Sequence, residues 1–250
     1  MARTGLPATR QVAAVQRAIA ILEELARART ELGTNEIARR TGINVSTISR
    51  ILATLAAGGL VDHVPSTGRY RIGVGLVRLA NAAHEGLDIR SLARPHLEDL
   101  GKQIGETVTL SIPAEYEAFT LDFVQSSLTV RSVAEVGRTS IGHATAVGKV
   151  LLAHGGTLRP GPLTAFTDRT ITDRAVLEVE IARVAERGWA QALGEREADL
   201  NAVAAPVVDR TGKLVAILGA QGPAVRFSPR AMRAAVELLV DKAALISSAL

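Results

Sequence analysis

The 250-residue chain contains no cysteine, which excludes disulfide scaffolds, thiolate zinc sites and cysteine nucleophiles together. It also lacks any uninterrupted apolar run of the roughly 18 residues that a membrane-spanning helix needs. Met1 to Arg10 has no apolar core of the kind a signal peptide carries. These absences predict a cytosolic protein with no membrane partner. Against them stand 47% hydrophobic and 22% charged residues, enough apolar material for a substantial core and too much for a largely disordered chain. The length allows one large domain or two ordinary ones.

Positive charge is scarce overall, at a net +4, but it is unevenly placed. Residues 1–75 hold ten arginines and five acids, or +5, so the other 19 bases and 20 acids sum to −1. An excess confined to the first third suggests an anionic partner for one end only.

The local patterns of that third say what the partner is. Val15 to Ala28 reads as a core-facing helix through Ile19, Leu22 and Leu25. Thr34, taken as an N-cap, opens a short helix to Arg40 that ends at Thr41-Gly42. Asn44 then caps a helix from Val45 to about Ala57. In it Ile48, Ile51, Leu52 and Leu55 face inward and Ser46, Thr47, Arg50 and Thr54 face out. Two short helices joined by a glycine-containing turn form a helix-turn-helix. Short hydroxyl side chains let the second helix approach base edges and phosphates, and an arginine can reach guanine acceptors. Ser46, Thr47, Ser49 and Arg50 have those properties. Leu60 to Val64 and Arg69 to Ile72 flank the turn Pro65-Ser66-Thr67-Gly68 as a β-hairpin wing, whose alternation places Arg69 and Arg71 on one face, towards phosphate. Asn35, Arg39, Arg40 and Val45 complete the candidate DNA contacts.

These residues resemble the IclR (isocitrate lyase regulator) family. The matching blocks are Gln16 to Leu22, Glu36 to Gly42, Ser46 to Leu52 and Gly68 to Gly73, followed by Leu92 to Leu97, Gly142 to Lys149 and Ala204 to Val207, all in the family's order. The resemblance implies a bacterial transcriptional regulator, more often a repressor, of an α+β class. Residues 1–73 would be a winged helix-turn-helix domain, 74–88 a linker helix and 89–250 a GAF-like effector-binding domain with an antiparallel sheet and flanking helices. It also implies a homodimer or dimer of dimers on double-stranded DNA, where two recognition helices about 34 Å apart predict a palindromic operator. Many members carry a lysine where this chain has Asn44-Val45, and a histidine where it has Ser49.

In the second half, Val74 to His84 predicts the linker helix, interrupted at Gly86, and Ser91 to Gln103 a helix kinked or restarted at Pro95. Strands are predicted at Thr107 to Ile112, Ala118 to Val124, Thr129 to Val133, Leu200 to Val208 and Leu214 to Ala220, with another beginning at Trp189. Helices follow Thr172 and Ser228. The segment Gly142 to His154 is a small-residue loop entering a helix, whose free N–H groups suit a carboxylate. It is not a phosphate-binding P-loop: its spacing is one residue too long, and Val150 stands where Ser or Thr must hold magnesium.

By the resemblance, a small organic acid effector would lie between the sheet and that loop. Matching positions are Asp122, His143, Ala144, Thr145, Ala146, Trp189, Glu195, Asn201, Ala202 and Gln221. Several relatives have an acidic pair at Ala192-Leu193 and a cysteine at Ala202, so this pocket should differ from the small keto-acid type. An aromatic acid stacked near Trp189 is the expected ligand. The alternative is a small-molecule-converting enzyme using His143 and Asp122 as an acid/base pair. No Gly-x-Ser-x-Gly elbow, paired metal histidines or complete dinucleotide fingerprint accompanies them, and no cofactor or metal is expected.

Overall fold

The computed structural model describes residues 12–28, 30–84 and 89–250. The chain divides into two compact units, residues 1–86 and 87–250. Arg3, Arg10 and Arg29, part of the N-terminal charge excess, and Gly86, the expected helix interruption, lie outside the described residues.

The first unit contains α1 (Ala13–Ala28), α2 (Thr34–Thr41), α3 (Val45–Ala57), β1 (Val61–Val64), β2 (Arg69–Ile72) and α4 (Val74–His84). Ile21, Leu25, Ile37, Ile48, Leu52 and Val61 form its core, whereas Ile19, expected on the core face of α1, is half exposed. The residue capping α2 is Gly33, not Thr34, which is the first helical residue and makes no cap bond. Gly42, at φ 70°, takes the left-handed conformation that ends α2. Asn44 caps α3 as expected, its side chain accepting from the Thr47 N–H at 2.8 Å. β1 and β2 pair antiparallel from Val61↔Ile72 to Val64↔Arg69. Tyr70 also exchanges two 2.9 Å backbone bonds with Leu32, tying the wing to the segment before α2. At the exit of the wing, Gly73 and Gly75 lie against the backbone around Gly59, where a Cβ would come within 2.4 and 2.5 Å of the Gly59 carbonyl oxygen.

The second unit contains α5 (Ile89–Ile104), β3 (Thr107–Pro113), β4 (Glu117–Val124), β5 (Thr139–Ile141), α6 (Ala146–Ala153), α7 (Arg174–Arg187), β6 (Ala190–Leu193), β7 (Leu200–Val208), β8 (Leu214–Pro223) and α8 (Pro229–Ser248). Its six strands form one antiparallel sheet in the order β5-β4-β3-β8-β7-β6. Alternation along the strands divides the side chains between two layers. Val108, Leu110, Val203, Ala205, Val207 and Leu218 pack against α5 and α8. Ala118, Ala190, Ala192, Ala204 and Ile217 pack with α6 and α7.

Three expectations for this unit need correction. Thr129 to Val133 is not a strand; the edge strand is Thr139–Ile141, and residues 129–133 form a loop held partly through the Ser132 carbonyl, which accepts from Thr107 Oγ1 at 2.8 Å. Asp173, not Thr172, caps α7, accepting from Ala175 and Val176 N–H. Pro95 lies inside a continuous α5 rather than at a fresh first turn.

Candidate functional site

Two candidate sites exist, one in each unit. In the first, the outer face of α3 presents Ser46, Ser49 and Arg50 exposed and Thr47 half-buried, while Ile48 and Leu52 anchor the opposite face in the core. Ser46 Oγ donates to Asn44 Oδ1 at 2.9 Å, so the cap also orients the first hydroxyl. Val45 is 43% exposed at the start of the helix. Asn35 and Arg39 are exposed on α2. Among the described residues, neither Arg39 nor Arg50 has a carboxylate within ion-pair distance, so both charges are free to meet an anion.

Arg69 and Arg40 differ from that expectation. Arg69 donates to Glu36 Oε2 at 2.7 Å and to the Glu31 carbonyl at 3.0 Å, and Arg40 donates to Glu36 Oε1 at 2.7 Å. The Leu32–Tyr70 pairing brings β2 beside the start of α2, so Glu36 meets two arginines and they brace wing and helix internally. Arg71 faces Asp62 at 3.5 Å across the hairpin and is 59% exposed at its side chain, which leaves it the more available wing arginine. A groove of about 720 Å³ between α1 and α3, lined by Val15, Arg17, Ala18, Thr47, Arg50 and Ile51, has no local signature in the sequence.

In the second unit a small cavity of about 60 Å³ lies between the sheet and the loop entering α6. Its floor is Thr109 of β3, Thr120 of β4, Ala202 of β7 and Gln221 of β8; its walls include Ala144 to Val147, Arg138 to Ser140, Ala192 and Glu195 to Glu197. Thr145 caps α6 by accepting from Gly148 N–H at 3.0 Å and donates to the Ile141 carbonyl at 2.8 Å. Its hydroxyl is thus committed, and the ligand-facing polarity of the loop comes from the helix start. The loop can sit this close because Gly148 and Gly219 lack side chains: a Cβ on Gly148 would be 2.2 Å from the Ile141 carbonyl oxygen, and one on Gly219 would be 2.8 Å from Thr109 Oγ1.

Of the ten positions carried over from the resemblance, Ala144, Thr145, Ala146, Glu195, Ala202 and Gln221 line this cavity. Four do not. Asp122 bonds Arg90 at 3.3 Å and Arg94 at 3.1 Å on α5. The cause is a bulge at Leu121: the β3–β4 register passes from Leu110↔Asp122 to Ser111↔Thr120, so Asp122 shares the α5 face with Leu110. Asn201 precedes Ala202 on β7 and so points to the other face, where it donates to the Phe227 carbonyl at 2.9 Å. Trp189 likewise packs against the α5 and α8 layer, with the Arg187 guanidinium 4.2 Å from its ring centroid, so the expected aromatic stack does not form in the cavity. His143 turns away to the Thr164 carbonyl at 2.9 Å and the Phe166 ring. His143 and Asp122, held by separate partners, do not form the acid/base pair of the enzyme alternative.

Sequence reasoning missed Thr109, Thr120, Arg138, Thr139, Ser140 and Arg196. The alternation Thr107, Thr109, Ser111 on β3 is the available signal, a polar row on the face opposite Val108 and Leu110. Among the described residues no group of histidine, aspartate and glutamate is arranged to hold a metal, and no helix is long and apolar enough to cross a membrane.

Comparison with known proteins agrees with both units. A model of the IclR helix-turn-helix domain matches residues 14–65, and one of the bacterial transcriptional regulator IclR C-terminal region matches residues 81–248. The HTH-type transcriptional regulator XynR of Escherichia coli is 32% identical over 213 residues, covering 83% of this chain and 84% of the relative. The HTH-type transcriptional regulator BhcR of Paracoccus denitrificans is 32% identical over 238 residues, covering 93% and 85%. Among solved structures, an IclR homologue from Microbacterium hydrocarbonoxydans complexed with 4-hydroxybenzoate has a TM-score of 0.82 at 26% identity, covering 94% of this chain and 98% of that one. The chain therefore belongs to the IclR family of bacterial transcriptional regulators.

Proposed function

We propose that residues 1–73 bind a palindromic operator, residues 74–88 connect the two units, and residues 89–250 bind a small organic acid that alters operator affinity, with repression as the resting activity. The observation that carries the DNA assignment is the outer face of α3, where Ser46, Thr47, Ser49 and Arg50, which has no ion-pair partner among the described residues, surround a capped helix start. Hydroxyls there bond phosphate or base edges, and a free guanidinium can bond guanine in bidentate fashion. Arg39, Asn35 and Arg71 add backbone contacts, whereas Arg40 and Arg69 act by holding wing and α2 together.

Exposed apolar side chains on this unit, Val15 and Ile19 of α1 and Val74, Val77 and Leu79 of α4, support assembly as a homodimer or dimer of dimers. An acid effector is supported by the helix start and arginines around the cavity, and by the bound 4-hydroxybenzoate of one homologue. To regulate, the ligand must bind the operator-competent and operator-incompetent states with different affinity.

Capturing genomic fragments with the purified protein and sequencing them tests the reading. The expected result is a small set of fragments sharing an inverted repeat with half-site centres about 10 base pairs, or a multiple of that, apart. Recovery of fragments without a shared sequence refutes it.

A further inference from the structure

The cavity holds two charged groups whose bonding is incomplete, and they have opposite sign. Glu195 is 8% exposed, and its Oε1 accepts from Lys149 Nζ at 2.6 Å. Lys149, 1% exposed, donates also to the Gln191 carbonyl at 3.0 Å. Glu195 Oε2 is buried with no hydrogen-bond partner. An ionised oxygen removed from water without a donor is costly, so a donor supplied by a ligand is worth more there than at the surface. Lys149 fixes Oε1, which leaves Oε2 as the acceptor for that donor.

The adjacent Arg196 is half-buried. Among the described residues it makes one hydrogen bond, to the Thr139 carbonyl at 2.9 Å, and has no carboxylate within ion-pair distance. Burial, and then the nearby Arg138 charge, push its guanidinium below the usual arginine range, with the more distant Glu197 and Glu117 carboxylates offsetting only part of that. Arg138 is itself occupied, donating to Glu197 Oε1 and to the Val133 carbonyl, each at 2.9 Å. The cavity thus offers one under-compensated cation and one under-donated carboxylate at consecutive residues, among the small apolar side chains of Ala144, Ala192 and Ala202. Its volume of about 60 Å³ has room for roughly four to six water-sized groups.

Resting on the effector reading above, we propose that this cavity selects a short aliphatic hydroxycarboxylate, with the ligand carboxylate on Arg196 and its hydroxyl donating to Glu195 Oε2. A keto acid has no donor for Oε2. An amino acid brings a fourth cation beside Lys149, Arg138 and Arg196, and Glu195 already has its counter-charge from Lys149. Lys149 is a positioning residue that turns Glu195 so that one oxygen is left for the ligand.

Calorimetric titration of the full-length protein at pH 7 with matched acids tests this. Lactate should bind at least tenfold more tightly than propionate, pyruvate or alanine, and glycolate at least tenfold more tightly than acetate. Arg196→Gln, at a half-exposed site, should weaken lactate binding at least tenfold while leaving the melting temperature nearly unchanged. In Glu195→Gln the amide keeps its oxygen on Lys149 and presents an N–H to the ligand, so the preference should shift from lactate towards pyruvate. Equal binding of lactate and propionate, tighter binding of alanine or 4-hydroxybenzoate, no binding of any acid, or full binding by Arg196→Gln each overturns the proposal. Operator binding measured on the same samples separates the two readings: if it is intact while the acids fail, only this inference falls, and if it is absent the regulator reading falls.

Discussion

Lys149 is among the most completely buried large side chains of the molecule, and its ammonium is satisfied by Glu195 and a main-chain carbonyl. Removing one partner of such a pair strands the other charge, which costs about 3–5 kcal/mol, whereas replacing both with apolar groups of similar volume is close to neutral. Lys149→Met should therefore lower stability by about 3–5 kcal/mol, and Lys149→Met combined with Glu195→Leu should recover most of that loss. Denaturant unfolding of the three proteins checks the prediction; equal stability of single and double variants contradicts it. At the same scale, Arg50 and Arg69 show what a sequence conveys about a single side chain. Arg50 was legible because helical spacing alone turns it from the Ile48–Leu52 face. Arg69 was not, because its partner Glu36 is 33 residues away and meets it only through the pairing of Leu32 with Tyr70.

Elements were legible wherever the signal was local. The Asn44 cap, the α3 stripe and the helix from Val74 to His84 depend on neighbours within a few residues, and each stands where the sequence put it. The faces of strands depend on register, and one bulge at Leu121 moved Asp122 from the cavity to α5. Asn201 needed no register to place it: it adjoins Ala202 on β7, so alternation alone sets the two on opposite faces, and Trp189 stands just before β6.

Two elements give direct tests. Gly148→Ala sets a Cβ against main-chain atoms of Ile141 and Gly142 that cannot rotate away. It should cost about 3 kcal/mol or more, a melting temperature fall of roughly 6–12 °C for a unit of this size, and should weaken acid binding at the displaced loop. An unchanged melting temperature contradicts the close approach. In the β7–β8 turn, Asp209 accepts from Thr211 N–H and Oγ1 and from Lys213 N–H, and these bonds, led by the Thr211 hydroxyl, hold its carboxyl below the usual range. The folded value is depressed, so the contribution is present above the unfolded value near 3.9 and lost as pH falls through the lower folded one. The melting-temperature gap between the native protein and Asp209→Ala should be constant from pH 8 to 5 and close below about pH 4. A gap that varies between pH 5 and 8 contradicts this origin.

For the whole molecule, the division of charge is the feature that connects sequence to function. A net +5 over residues 1–75 and −1 over the remainder predicts that salt controls DNA binding while leaving acid binding in the second unit much less affected. Arg50 is the contact on which that account depends most. The decisive measurement is the affinity of the native protein and Arg50→Ala for a captured operator fragment between about 50 and 200 mM salt. Native affinity should fall steeply along a straight line in log salt. Arg50→Ala should bind about 10- to 100-fold more weakly if Arg50 reads guanine, and with a salt slope smaller by about one if it contacts phosphate. Binding that is independent of salt, or unchanged in both affinity and slope by Arg50→Ala, contradicts the assignment of α3 as the DNA-reading helix.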